Sequence, residues 1–406
     1  MSCVVDPRAA GRMQDVWLLV TLRNYGQLNA TFGPAAGYGA DGIAPSVLRA
    51  LSWICALQGA FIEWVGPDRL IVRLDFSGPE LSEQEKRQLV EDWLVLLNRR
   101  YVLEDDTEVM PAVSVRLIEE VSNLGPGAEG EAVLLQDLTW QADYRRDIAL
   151  AVALHDQLDK GNIEVARSTI VPGDDPDCVI YHELVLQLSA ASPFPASDLP
   201  LWLSALQRLG MTRLLDHTLL HTALDQLVAD PELTLACSIS LQSAACDLWW
   251  SSLFERLQAD PQLATRLVVQ IAMPVPVLDT APAEAFCQRL RDAGCSIAFD
   301  GFGSGRCNLD FLLAVKPAIV CIGERYAYLD TRKKTQETWS DEVLDALQSL
   351  CRAAIPHVVI IERREATKAA MHAVDGNWSL YRGRAGQHRA NGQLRSRDRA
   401  LQRVAC

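Results

Sequence analysis

The chain is poor in the features that would place it in a membrane, outside the cell or on a nucleic acid. Its apolar run Val16 to Leu22 falls far short of the roughly 20 residues that a spanning helix needs. No basic-then-apolar signal segment opens the sequence. The 11 cysteines form no C-x-x-C pair and no Cys/His cluster at zinc spacing, which argues against a disulfide framework or a zinc module. Positive charge is in deficit: 38 Lys and Arg stand against 52 Asp and Glu, for a net charge of −14. General nucleic-acid binding needs a basic surface to neutralise phosphates, so it is not expected. The expectation is a cytoplasmic protein with free thiols and without membrane insertion, or one held at a membrane only through a partner.

Enough apolar sequence is present for two or three domains: 406 residues, 49% hydrophobic and 22% charged. Low hydrophobicity, glycine and proline coincide at NLGPGAEG, residues 123–130, and divide the chain. The expected domains are 1–125, a linker and connecting helix over 126–160, and 161–406. The last is atypical after residue 376, where seven arginines accompany one acid, Asp398. That stretch reads as a solvated basic extension.

In the first region VWLLVTL reads as a strand, Ala44 to Leu57 as a helix, and Phe61–Val65 with Arg69–Phe76 as a hairpin around Gly66-Pro67-Asp68. Ser82 and Glu85 make a capping box, with Leu89, Trp93, Leu96 and Leu97 expected on one helical face. AVSVRLI closes a small α/β domain. A connecting helix is expected from about Leu138 to Asp159.

Beyond it, strand-like and helix-like segments alternate. The expected strands are Ile163–Val171, Cys178–Leu188, Leu233–Ser240, Leu267–Met273, Ser296–Asp300, Ile319–Ile322 and Val358–Ile361, with a poor eighth near Trp378 to Tyr381. Between the fourth and fifth, Pro282 near the start, Phe286 and Leu290 on one face and Gly294 as a stop mark a helix. This alternation predicts a (β/α) barrel of the TIM type, with a doubly wound open sheet as the alternative.

Chemistry in a barrel is placed at the C-terminal ends of its strands. Polar residues there are Glu183, Ser238, Gln270, Asp300, Cys321 with Gly323, and Glu362. Three acids on separate strands could hold one cation weakly. Two divalent cations would want about five hard oxygen ligands, more than are present.

The segment SIAFDGFGSG, with Asp300 ahead of a glycine-rich turn, resembles the strand and loop of EAL-type cyclic di-GMP phosphodiesterases. Similarity runs from about Tyr144 to Glu365. YHELVLQL matches the segment of the family's name motif, with Glu183-Leu184-Val185 in its place. MTRLLDHTLLHTAL resembles the family's helix with its leading aspartate, here Asp216.

The resemblance implies Glu183, Asp300 and Glu362 as retained metal-site acids. It implies Ser238 for a ligand asparagine, Gln270 for a metal-binding glutamate, and Gly301 for a second aspartate. Cys321 and Gly323 stand for the lysine and aspartate that handle the attacking water and metal. Gln187 stands for a phosphate-contacting arginine. The family's Gln-Gly segment is not recognisable after Asp375.

TLRNYGQLNATFGPAAGYGADGI resembles the first strand and helix of GGDEF diguanylate cyclases, with Asn29 at a guanine-contacting asparagine and Thr21 for a metal-binding aspartate. Gly66-Pro67-Asp68-Arg69-Leu70 occupies the signature turn, where Arg69 puts a cation in place of a catalytic acid. Leu57 and Ala60 stand where the inhibitory Arg-x-x-Asp site would be.

The implied protein is an α/β tandem, an EAL-type TIM-like barrel preceded by a small degenerate GGDEF-like domain, without catalysis. It would act as a regulatory or protein-binding module in bacterial cyclic di-GMP signalling, with a protein partner and a homodimer among its assemblies. A non-hydrolysing cyclic di-GMP receptor and a residual phosphodiesterase using one Mg²⁺ through Glu183, Asp300 and Glu362 are the alternatives. In the residues themselves, those acids also read as remnants bonded to backbone groups or to each other. His217 and His221, four apart on a helix, could clasp a metal, but no third ligand is evident and a half-buried pair is expected. Gly303-Ser304-Gly305 reads as a tight bend between strand and helix. For Trp249-Trp250 a core position and a protein-facing surface both stay open.

Overall fold

A computed structural model describes residues 14–33, 43–76, 81–103, 106–118, 140–172, 179–272, 279–303, 309–322, 337–355, 359–362, 379–382 and 388–393. The linker at 123–130, Gly323 and much of the arginine-rich stretch after 376 lie outside them. The chain divides into two compact units, one before and one after the step from Asp156 to Gln157.

The first unit contains β1 (Gln14–Leu22), α1 (Tyr25–Phe32), α2 (Ile43–Leu57), β2 (Phe61–Gly66), β3 (Arg69–Phe76), α3 (Glu83–Leu97), β4 (Tyr101–Val102), β5 (Glu108–Val109) and β6 (Val113–Ile118). The helix α4 (Trp140–Asp159) follows. Its main sheet is antiparallel in the order β2-β3-β1-β6. Leu18, Val20 and Leu22 of β1 and Leu70 and Val72 of β3 line one buried face of this sheet, and Leu19 and Ile71, opposite each other in the ladder, are buried on the other.

The capping box forms as expected: Glu85 N donates to Ser82 Oγ at 3.3 Å, and Ser82 N donates to Glu85 Oε2 at 2.8 Å. The buried face of α3 is turned from the expected one. Val90, Trp93, Leu94 and Leu97 are buried, whereas Leu89 and Leu96 are only half-buried. An internal tie that the sequence does not announce is Asn24, at the turn after β1. Its Nδ2 donates to Met110 O at 3.0 Å and to Tyr144 Oη at 3.1 Å, and its Oδ1 accepts from Ala112 N at 2.9 Å. One amide so joins the turn, the approach to β6 and α4.

The second unit contains β7 (Ile163–Pro172), β8 (Tyr181–Leu188), α5 (Asp198–Arg208), α6 (Arg213–Ala229), β9 (Leu235–Ser240), α7 (Ser251–Ala259), α8 (Pro261–Arg266), β10 (Leu267–Ala272), α9 (Ala281–Asp292), β11 (Ser296–Phe302), α10 (Leu309–Val315), β12 (Ile319–Ile322), α11 (Glu337–Ala354), β13 (Val359–Glu362), β14 (Ser379–Arg382) and β15 (His388–Gln393). It forms a mixed sheet: β8 through β14 pair in parallel sequence, and β7 runs antiparallel to β8. Both β14 and β15 also pair antiparallel with β7, β14 through Tyr381↔Val171 and β15 through His388↔Arg167. A mixed sheet with intervening helices is consistent with a TIM-like barrel.

The helix expected between β10 and β11 has its proline in the first turn and Gly294 at φ 102 just past its end. Ile170, Tyr181, Ala236, Val268, Ala298, Ile319 and Cys321 form one buried cluster across six strands. Among the described residues no helix is long and apolar enough to cross a membrane.

Candidate functional site

The polar layer of the second unit lies next to that apolar cluster. In β8, β9 and β10, Tyr181, Ala236 and Val268 belong to the cluster, and two residues further along the same face come Glu183, Ser238 and Gln270. Ser238 and Gln270 stand directly opposite each other in the β9–β10 ladder. Ser238 Oγ donates to Gln270 Oε1 at 2.6 Å, and Gln270 Nε2 donates to Glu183 Oε1 at 2.7 Å. Gln270 is fully buried and Glu183 is 4% exposed. The amide is therefore oriented at both ends: its oxygen faces the hydroxyl and its nitrogen faces the carboxylate. A neutral donor reaches the carboxylate where a metal-site reading would want a second acid.

Two placements differ from those expected. Glu183 is not at the far end of its strand but third of eight residues in β8. The reason is the long antiparallel ladder with β7, from Ile163↔Leu188 to Ile170↔Tyr181, which carries β8 beyond its short parallel contact with β9 at His182 and Glu183. Asp300, half-buried, does not end its strand either. β11 continues to Phe302, with a register irregularity against β12 between Phe299 and Phe302. Gly301 sits in that irregularity at φ 74, a left-handed conformation that costs glycine little because it has no Cβ.

Other candidate residues are set in differing surroundings. Cys321 is in the apolar cluster and 1% exposed. Gln187 is half-buried further along β8, and Asn29 is exposed on α1. Glu362 is the last residue of β13, with its side chain outside the described part. Gly303 follows β11 at φ 83, while Ser304 and Gly305 lie outside the described residues. Among the described residues, no three His, Cys, Asp or Glu side chains are grouped to hold a metal ion. The donor set present does not fit a two-metal centre: an amide and a hydroxyl supply neutral oxygens, and the amide nitrogen occupies one carboxylate oxygen.

Asp216 is buried near the start of α6. Its Oδ2 accepts from Ser240 N at 3.1 Å and from Ser243 Oγ at 2.5 Å. Its carboxylate thus ties α6 to the end of β9 and the 3₁₀ turn Leu241–Ser243. Burial pushes its pKa up to about 6, against the opposing hydrogen bonds from Ser243, Ser240 and Thr212 and the charge of Arg213. A folded pKa raised above the unfolded value means stability that is fully present below about pH 4 and is lost as pH rises through about 6. Asp216→Asn should remove this component. The difference in unfolding free energy between variant and wild type, measured by urea titration, should therefore shift in favour of the variant from acid to neutral pH. A pH-independent difference would show that Asp216 does not titrate in the folded state.

The histidine pair is placed against the tryptophans. The ring centroids of His217 and His221 are 4.4 Å apart with the planes tilted by 41°, and Trp249 and Trp250 lie 5.0 and 5.6 Å from His217. Arg256 Nη1 lies 3.2 Å from His221 Nδ1, and a guanidinium can only donate. Nδ1 is therefore the acceptor, and Nε2 carries the proton toward Ser252 Oγ at 3.0 Å. With both nitrogens of His221 used inside the fold, the metal-clasp reading has no support. Burial, followed by His221 and Arg213, holds His217 well below the usual histidine range. Trp249 and Trp250 are 3% and 0% exposed, which settles them as core.

Residues 153–372 match the family model of the EAL domain. No curated protein matches the sequence. Among solved structures, the S helix-GGDEF-EAL portion of Vibrio cholerae LapD is 13% identical over 87% of this chain and 84% of its own, with a TM-score of 0.43. An EAL domain protein from Listeria monocytogenes EGD-e is 15% identical over 56% and 88%, with a TM-score of 0.43. The Xanthomonas citri FimX EAL domain, in complex with c-diGMP, is 14% identical over 57% and 88%, with a TM-score of 0.42.

Proposed function

Because the chain belongs to the EAL-domain family, we propose that it is a non-hydrolysing member that regulates cyclic di-GMP signalling by binding a protein partner. The observation that carries this reading is the relay Ser238–Gln270–Glu183. Hydrolysis of a phosphodiester by two divalent cations requires several hard anionic ligands around both metals. Here two of the positions that resemblance assigns to ligands are a hydroxyl and an amide, hydrogen-bonded to each other. The amide holds the retained acid as well. Losses in a coupled constellation do not rescue one another, so the remaining acids do not restore a hydrolytic centre.

The proposal extends to the architecture. We read the second unit as a closed eight-stranded barrel, β7 through β14, in which β7 is the antiparallel member; the β14–β7 pairing supports closure. The first unit is read as a degenerate GGDEF-like domain, with domain limits near 125 and 160. In the turn that resembles its signature, Asp68 and Arg69 are 3.5 Å apart as a local ion pair, and Asp68 O accepts from Leu22 N at 2.8 Å. The ion pair stays within the turn, and the backbone bond ties the turn to the end of β1.

Calorimetric titration of the full chain with cyclic di-GMP, with and without Mg²⁺, tests the reading, together with chromatography for the linear dinucleotide. No binding at micromolar concentration and no product are expected. Micromolar binding without cleavage would replace the partner-binding reading with a nucleotide receptor. Linear product that disappears in Glu183→Ala would make the protein a residual phosphodiesterase.

A further inference from the structure

The outer edge of the first unit's sheet carries a surface that the reading above does not use. β2 ends the order β2-β3-β1-β6, and among the described residues no strand pairs with its free side. Phe61 is 57% exposed, Trp64 46% and Val65 40%; on α2, just ahead of β2, Trp53 is 65% and Leu57 62% exposed. An apolar edge strand is a template for further pairing unless charge, proline or a covering segment blunts it. Between Phe61 and Gly66 there is no proline and no lysine, and the one charge is Glu63.

The ladder fixes which side chains share a face. Trp17, Arg73 and Phe61 stand opposite one another across β1, β3 and β2. The guanidinium of Arg73 lies 4.6 Å from the Phe61 ring centroid and 5.8 Å from that of Trp17. Glu63, two residues along β2, is on the same face as Phe61. One end of this short strand therefore presents a cation over an aromatic ring, and its middle presents an acid.

We propose that β2 pairs with β2 of a second copy of this chain, antiparallel about a two-fold axis through Ile62. A two-fold perpendicular to the sheet preserves its faces, so residues opposite one another must share a face. An axis through Glu63 would set two carboxylates against each other, which is unfavourable. An axis through Trp64 would carry the ladder into Pro67, which has no N–H to donate. The axis through Ile62 places Glu63 of each copy opposite Phe61 of the other, beside the Arg73 guanidinium. Each Glu63 then shares the Arg73 guanidinium with Asp75, which lies 3.2 Å from it on the same strand. The same operation joins the two four-stranded sheets into one of eight strands. It sets both α2 helices, with Trp53 and Leu57, on one face of the joined sheet.

The test uses the full chain with Ile62→Cys under mild oxidation. Residues directly opposite in an antiparallel pair have Cα atoms about 4.5–5.5 Å apart, within disulfide reach. The introduced thiols should link two copies, seen on a non-reducing gel and identified by mass spectrometry of the linked peptide. Trp64→Cys should not link, because those positions are offset by four residues in this register. In sedimentation, Glu63→Lys should raise the dimer dissociation constant at least about tenfold with an unchanged circular dichroism spectrum. No link at position 62, equal linking at 64, or a dimer indifferent to Glu63→Lys would each overturn the proposal. A chain that stays monomeric would also overturn it and leave the edge to a strand of a different protein.

Discussion

With glutamate in place of Gln270, the second unit should lose about 3 kcal/mol of stability near pH 8 and much less near pH 5. The nitrogen that now lies 2.7 Å from Glu183 Oε1 would become a carboxylate oxygen in a site without water access, since Gln270 is fully buried. Two carboxylates at that separation cannot both ionise without strong repulsion, so the folded pair would hold a proton that the unfolded chain releases. The pair's folded pKa is raised, so the loss deepens as pH rises through it and fades below the ordinary carboxylate range. Urea unfolding of variant and wild type at both pH values measures the difference. A loss independent of pH would mean that the side chains move apart and that the relay is not a fixed arrangement. Gln270→Met, which lacks the amide but keeps the length, should cost a smaller amount at pH 8, because it removes a donor from the carboxylate without adding a second acid.

Trp250→Ala should destabilise the same unit by about 4 kcal/mol, the range seen when a buried aromatic is truncated and its cavity stays open. Trp250 is fully buried, its Nε1 donates to Ser243 O at 2.8 Å, and its ring lies 5.5 Å from Phe286. Phe286 also contacts Phe254, so it links the indole to α7 in a cluster drawn from α7, α9 and the segment before α7. Trp250→Phe should lose less than half as much, because it keeps ring contacts and forfeits mainly the hydrogen bond and part of the volume. The midpoint of urea unfolding followed by far-ultraviolet circular dichroism reports both. Equal losses for the two variants would place the energy in the hydrogen bond, not the packing.

How much of this fold can be read from sequence depends on how far apart its partners lie. The Ser82–Glu85 box is legible because both groups sit within one turn, and the α9 stop at Gly294 for the same reason. The strand near Trp378 to Tyr381 looks poor because its propensity is weak, yet it forms at Ser379–Arg382 where β13 and β7 flank it. Tertiary pairing there outweighs local preference. That Glu183, Ser238 and Gln270 lie on strands is legible from the apolar runs around them, although Glu183 stands third in β8 and not at the expected strand end. Their hydrogen bonds are not legible, since Glu183 and Gln270 are 87 residues apart and meet only when β8, β9 and β10 are in register. Asn24 and Asp216 carry no pattern that separates a structural amide or acid from a ligand. Burial decided for Trp249 and Trp250 what the Trp-Trp pair alone left open. For α3, helical periodicity found the right stripe and misjudged its rotation by part of a turn.

The β7 ladder has a bearing on how the protein is made. One side of β7 finds β8 almost at once, as a hairpin neighbour, but its other side waits for β14 and β15, which are synthesised roughly 200 residues later. At typical elongation rates that interval is on the order of 10–40 s, during which a ten-residue strand has one open edge on the ribosome. A chain stalled before Ser379 would keep that edge, and such unpaired edges seed intermolecular pairing. Nascent-chain quality control should therefore distinguish this protein sharply by where translation stops, with products lacking β14 and β15 being the ones that chaperones retain.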